Sequence, residues 1–121
     1  MSSVHMIVGL AVVVAFLLST IASYLRMSRG TEISWLRGVS FAAAGLLLLQ
    51  YVLGFALLGD DGDISPLHYI LALAAIIPVG AEHMFATAER SARERNRIAF
   101  VSSLAAFVLV LVVYAIGERN A

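Results

Sequence analysis

The sequence predicts an all-α integral membrane protein: a four-helix bundle of up-down-up-down topology with both termini on the outer side. Three observations predict it. Of 121 residues, 61% are hydrophobic and only 13% are charged, about half the charged share of an ordinary soluble domain, and mean hydropathy is +0.94. The apolar residues fall into four runs, each close to the roughly 20 residues that a bilayer-spanning helix needs. Basic residues are gathered into two of the three connectors between those runs. One domain, residues 1–121, is expected, because nothing resembling a linker, a repeat or a low-complexity tract divides the chain.

Lys+Arg and Asp+Glu are both 8, so net charge implies no nucleic-acid partner. The absence of cysteine excludes disulfides, thiolate metal sites, iron–sulfur clusters and thiol catalysis. No phosphate loop, HExxH pair or nucleophile elbow occurs, so the common signatures of phosphoryl transfer, metalloprotease and serine hydrolase chemistry are missing.

The first span covers about residues 4–25. It lacks a basic flank before it, is longer than the apolar part of a signal peptide, and is followed by arginines, so it reads as an uncleaved anchor. The connector "RMSRGTEISWLR" holds Arg26, Arg29 and Arg37, and leads to the second span at about 35–58. The acidic connector "GDDGDISP" follows, with Asp60, Asp61 and Asp63. It is a turn built from Asp and Gly, or a weak cation site. Ser65 and Pro66 are an N-cap and a first-turn proline for the third span, at about 66–88, where Pro78 should kink the helix. The segment "AERSARER" is rich in helix formers and opposite charges at i,i+4, and is expected to extend the third helix beyond the membrane. The fourth span covers about 98–116. Seven of the eight basic residues lie in the first and third connectors, which the positive-inside rule makes cytoplasmic. Short connectors make successive spans antiparallel neighbours.

Five polar residues interrupt the spans: His5, Gln50, His68, Glu82 and His83. Such residues are costly in lipid and are functional candidates by default. His5 and His68 each lie about two residues into their spans, on helices one and three, which run the same way and sit diagonally in an up-down bundle. That arrangement can sandwich a planar tetrapyrrole, each imidazole supplying one axial nitrogen to a haem iron. At 100° per residue, His5, Gly9, Val12 and Phe16 share one stripe, Ala43, Leu47, Gln50 and Gly54 another, and His68 and Ala72 a third. In each stripe a small residue lies one turn from the polar one, leaving room for a flat cofactor or for another helix. The alternative is that the histidines are hydrated at headgroup level and the small residues serve helix packing.

Gln50 lies about 12 Å below the outer end of its span. It suits an interhelical hydrogen bond, or a contact to a cofactor edge or quinone carbonyl, better than axial ligation. Glu82 and His83 share the broad face of His68 but lie about 21 Å deeper. They read as an interfacial pair held by Arg26, Arg29 or Arg97, or as a second polar site or proton-entry group. The serines of "VSS" in the fourth span have no base beside them in sequence and read as packing residues.

These residues resemble the haem A synthase family, whose four-helix halves bind haem between histidines on two helices. The family's motifs run approximately E-x-x-H-R-x-x-G, L-Q-x-x-L-G and H-L-x-x-A. Here "VHMIVG" supplies His5 and Gly9, "LLQYVLG" supplies Gln50 and Gly54, and "LHYILA" supplies His68 and Ala72. The resemblance covers about residues 4–80 and implies His5 and His68 as haem ligands. The departures bear on activity: Ser2 stands at the family's glutamate, Met6 at its arginine, there are no outer-loop cysteines, and the extra helix follows rather than precedes the histidine helices. Haem A synthase activity is therefore not expected, and the looser group of bis-histidine membrane cytochromes b fits equally well.

The expected function is a small b-type cytochrome of a prokaryotic cell membrane. It would hold one haem near the outer face between His5 and His68, with Gly9 and Ala72 making room, Gln50 and Gly54 nearby, and quinone as a further ligand of Gln50. Two axial histidines leave no open iron position, which favours electron transfer over oxygen chemistry. A chain this small is expected to be a subunit of a larger redox complex or a homo-oligomer. The alternative is a cofactor-free structural or assembly subunit of a respiratory or photosynthetic complex. A third reading, a proton-coupled carrier using Glu82 and His83, lacks the repeats and broken helices that transport usually needs.

Overall fold

The computed structural model describes residues 2–29, 36–56, 66–86 and 89–119. They form α1 (Ser2–Arg29), α2 (Leu36–Ala56), α3 (Pro66–Ala74), α4 (Ile76–Phe85) and α5 (Ala92–Arg119), with no strand among the described residues. Four stretches are long and apolar enough to cross a membrane: Ser3–Arg29, Gly38–Ala56, Pro66–Phe85 and Ala92–Gly117. The Asp60–Asp63 turn and the Ser65 cap lie outside the described residues.

Each helix has a local cause. α1 is 28 residues of good helix formers and β-branched apolar residues, about 42 Å long, and so longer than the roughly 30 Å hydrocarbon core. Arg26 and Arg29 occupy its last turn, where cations complement the helix dipole. The third span divides into α3 and α4 at Ala75 because Pro78 has no N–H for the Ala74 carbonyl and its ring crowds that group. The Ala75 N–H is shared between the carbonyls of Leu71 (3.1 Å) and Ala72 (3.3 Å). Ala75 itself keeps right-handed helical torsions, φ −62° and ψ −23°. The irregularity expected at Pro78 is thus displaced three residues toward the N-terminus, to the turn whose bond the proline removes.

The "AERSARER" segment departs from expectation. α4 closes at Phe85, with the Ala86 N–H bonded to the Glu82 carbonyl, and the later residues of the segment open α5 instead. The reason is local: Ser91 Oγ accepts the Glu94 backbone N–H at 3.2 Å. This is an N-cap with the S-x-x-E spacing of a capping box, and Glu94 also pairs with Arg90 at 3.4 Å. A strong helix start outweighs the propensity of the segment to continue the helix before it.

α1 packs against α2 and α5, and α5 packs also against α3 and α4. The shared core is Val12, Val13 and Phe16 of α1, Ala43 and Leu47 of α2, Ala75 and Val79 of the third span, and Ala106 and Val110 of α5. Ala22, Ala43, Ala75 and Ala106 are wholly buried; small residues let helices approach closely where lipid offers no hydrophobic drive for association. The outward faces are just as apolar: Ile7 (68%), Val52 (64%), Ile70 (63%) and Ile77 (71%) are largely exposed. An apolar exterior on every span is what lipid contact requires, whereas in water such patches are confined to interaction sites.

Candidate functional site

Two polar layers cross the bundle, one on each side of the Val12–Phe16 core. The first contains both histidines expected to ligate a cofactor. On α1, the His5 ring lies against α2, with its Cε1 3.4 Å from where a Cβ on Gly54 would stand. The Gln50 side chain crosses between the two helices: its Nε2 donates to the His5 carbonyl at 2.9 Å and lies 3.5 Å from His5 Nε2. On α3, the His68 ring lies against α5, its Cε1 only 3.1 Å from a Cβ position on Gly117. His68 Nδ1 is 3.1 Å from the Val113 carbonyl oxygen. A carbonyl only accepts, so Nδ1 carries the proton, and Nε2 is left with its lone pair.

Contacts through two separate helices put the two rings at one level. By way of α2, Gln50 meets Gly9 while Tyr51 donates its hydroxyl to the Ala72 carbonyl; one turn outward from these lie His5, Gly54 and His68. By way of α5, Tyr114 meets Gly9 and Gly117 meets His68, again setting His68 one turn outward of the Gly9 level, where His5 lies. Of the two roles open to the small residues, Gly9 takes that of helix packing. The space beside Gly9 is taken by Gln50 Nε2 (3.0 Å) and the Tyr114 ring (3.4 Å). Ala72 contributes its carbonyl to Tyr51. The glycines that seat the rings are Gly54 and Gly117, both on neighbouring helices.

The second layer centres on Glu82 of α4. Its Oε2 accepts a hydrogen bond from Ser40 of α2, and its Oε1 accepts one from Ser103 of α5 at 2.8 Å. Ser103 Oγ lies 3.0 Å from Ser19 Oγ of α1. All four spans therefore meet at one carboxylate through hydroxyls. His83 lies beside the network, with Nε2 3.4 Å from Ser40 Oγ and 3.8 Å from Glu82 Oε2, its ring stacked on Phe41 at 4.6 Å between centroids. Glu82 is the more buried of the pair: its side chain is 12% exposed against 27% for His83. Ser19, Ser23 and Ser103 are each only 1% exposed, and Ser23 Oγ is buried with no hydrogen-bond partner.

Glu82 and His83 read from the sequence either as a pair held by arginines or as a second polar site; the hydrogen-bonding neighbours here are the serines Ser40 and Ser103. Ser103, read as a packing residue, holds the carboxylate. The signal that would have found these partners was depth. Counted inward from the basic connectors, Ser19, Ser40, Glu82 and Ser103 all lie three to eight residues into their spans. Val113, Tyr114 and Gly117 carried no signal, because a carbonyl, a ring edge and a vacant Cβ become recognition elements only once a neighbour faces them.

Among the described residues no group of three or more His, Cys, Asp or Glu side chains is placed to hold a metal ion; axial haem ligation calls for only two imidazoles. Comparisons with family models, with curated proteins and with solved structures return no match.

Proposed function

We propose that this chain is a small membrane b-type cytochrome that holds one haem between His5 and His68 and carries electrons. The observation that carries the reading is the pair of imidazoles at one level on spans that stand across the bundle, with His68 held through Nδ1 so that Nε2 faces away from its anchor. A second bond to a backbone carbonyl is the usual way a ligating histidine is oriented and made more basic.

The residues fit such a group in three respects. There are two imidazole donors. Each ring is seated on a glycine of a neighbouring helix, so its plane is set by packing. Gln50 Oε1 is buried and, among the described residues, has no hydrogen-bond donor. The side chains beside Gly9 belong to Gln50 and Tyr114, and a porphyrin lying against Gly9 requires both to turn aside. His5 and His68 would hold the haem, which would supply one-electron exchange. The protein's own part is to set the two rings, to exclude water with the Val12–Phe16 core, and to offer Gln50 as a polar contact for the haem edge or for quinone.

In this reading the chain is an up-down-up-down bundle. The pairings of His5 with Gly54, Tyr51 with Ala72 and His68 with Gly117 each join an early residue of one span to a late residue of another. The rings of Tyr24 and Phe100, 5.6 Å apart, bring the end of α1 beside the start of α5, which collects Arg26 and Arg29 at the same end as Arg93, Arg95 and Arg97. By the positive-inside rule that end is cytoplasmic. The histidine layer and both termini then face outward in a prokaryotic cell membrane. The likeness to a haem A synthase half extends to the haem scaffold and not to the reaction. In this reading the cytochrome works within a larger redox complex or as a homo-oligomer.

The filled space beside Gly9 favours a second reading, a cofactor-free structural or assembly subunit. The visible spectrum of the detergent-purified protein from haem-replete cells separates the two. Sharp low-spin Soret and α bands, lost in both His5→Ala and His68→Ala, support the cytochrome; a colourless wild-type protein leaves the structural subunit.

A further inference from the structure

The Glu82 layer is used by neither reading. We propose that Glu82 is a proton-exchange site loaded from the arginine-rich end through His83 and Ser40. Three features point there. An ionisable side chain inside an apolar span is a functional site by default. His83 is the most exposed member of the connected path at 27%, with Glu82 at 12%, Ser40 at 8% and Ser103 and Ser19 at 1%. Ser40 touches both ends of the first step, bonded to Glu82 Oε2 and 3.4 Å from His83 Nε2.

A hydroxyl in that position can accept one proton while giving up another. Protonated His83 passes its Nε2 proton to Ser40 Oγ. The Ser40 hydroxyl proton moves to Glu82 Oε2. His83 ends neutral, Ser40 ends as it began, and Glu82 ends as the neutral acid. His83, partly exposed, takes its next proton from water. On the far side, Ser103 and Ser19 extend the same hydrogen-bonded chain to α1. Glu82 is met by Ser40 of α2 and Ser103 of α5, with Ser19 of α1 behind Ser103 and His83 of α4 beside it. The next charges in sequence on the Glu82 side are Glu89 and Arg90, and the nearest on α1 and α5 are Arg26 and Arg97. The proposal does not depend on haem, since the two layers share no residue.

The test is a pH jump on the full-length protein in detergent, read by a pH dye and by infrared absorption of carboxylic acid groups. Wild type is expected to take up one proton more than Glu82→Gln, and to show a carboxylic acid band absent from that variant. Glu82→Asp keeps a carboxyl and should move the band rather than remove it, which guards against a Glu82→Gln protein that fails to fold. Ser40→Ala should slow uptake by about tenfold or more, as when a positioned proton-transfer group is removed, whereas Ser103→Ala, beyond the acceptor, should not. Equal uptake by wild type and Glu82→Gln overturns the proposal. So does one-for-one displacement of the proton by sodium, which would make the layer a cation site.

Discussion

The two polar layers are built on different principles. In the histidine layer His5 meets α2 through Gly54 and Gln50, and His68 meets α5 through Gly117 and Val113. His68 is held through Nδ1. In the Glu82 layer hydroxyls from the three other spans close on both carboxylate oxygens, directly or through Ser103. The first layer seats two rings on glycines of neighbouring helices; the second gathers serine hydroxyls on one carboxylate. This contrast predicts that the histidine layer governs cofactor binding and that the Glu82 layer governs proton traffic and bundle cohesion.

The largest effect that could break the comparison is on colour. In the proposed cytochrome, His68→Ala should abolish the haem spectrum, while Glu82→Gln should leave it intact; loss of the spectrum in both would show that the layers are not separable. Next comes the seating of the rings. A methyl on Gly117 would stand 3.1 Å from His68 Cε1, against 3.4 Å between Gly54 and His5. Gly117→Ala should therefore displace its ring and cost about 1–3 kcal/mol, the usual range for overpacking, with Gly54→Ala nearly neutral. Unfolding in denaturing detergent measures both.

Smaller effects sharpen the other half of the contrast. Ser103→Ala removes bonds to both Glu82 and Ser19 and should destabilise by about 1 kcal/mol, more than Gln50→Leu. The latter loses one interhelical bond, and the expected cost is near the average of about 0.6 kcal/mol for such bonds in membranes. If Gln50→Leu proves the costlier change, Gln50 holds the bundle together more than it serves a ligand. The smallest change should follow Arg90→Ala, which breaks an exposed pair with Glu94 worth about 0.5 kcal/mol or less and weakened by salt.

Much of the fold was legible before any coordinates. The expected spans at 4–25, 35–58 and 98–116 match α1, α2 and α5 to within a few residues at most ends, and the third span was expected to yield at Pro78. The errors lie at helix ends. The basic segment was assigned to the third helix because its propensity is high, whereas the Ser91–Glu94 cap starts a new one. The buried stripe was also legible: Val12, Phe16, Ala43 and Leu47 are core residues, on the faces that the 100° rotation assigns them. The partners were not. Nothing in "VSS" marks Ser103 as a ligand of Glu82, and nothing in "VVYAIG" marks Val113 or Gly117 as the seat of His68.

The division has a physical cause. Span length, basic ends, the Pro78 irregularity and the amphipathic stripe are local properties, set by transfer free energies and torsions within about twenty residues of chain. The sequence by itself therefore determined four apolar helices, the basic connectors and the depth at which each polar residue sits. Which hydroxyl meets which carboxylate, and which glycine receives which ring, depends on how helices far apart in sequence rotate and pair. Those choices are made by close packing at a few tenths of an ångström, and only the tertiary structure decided them.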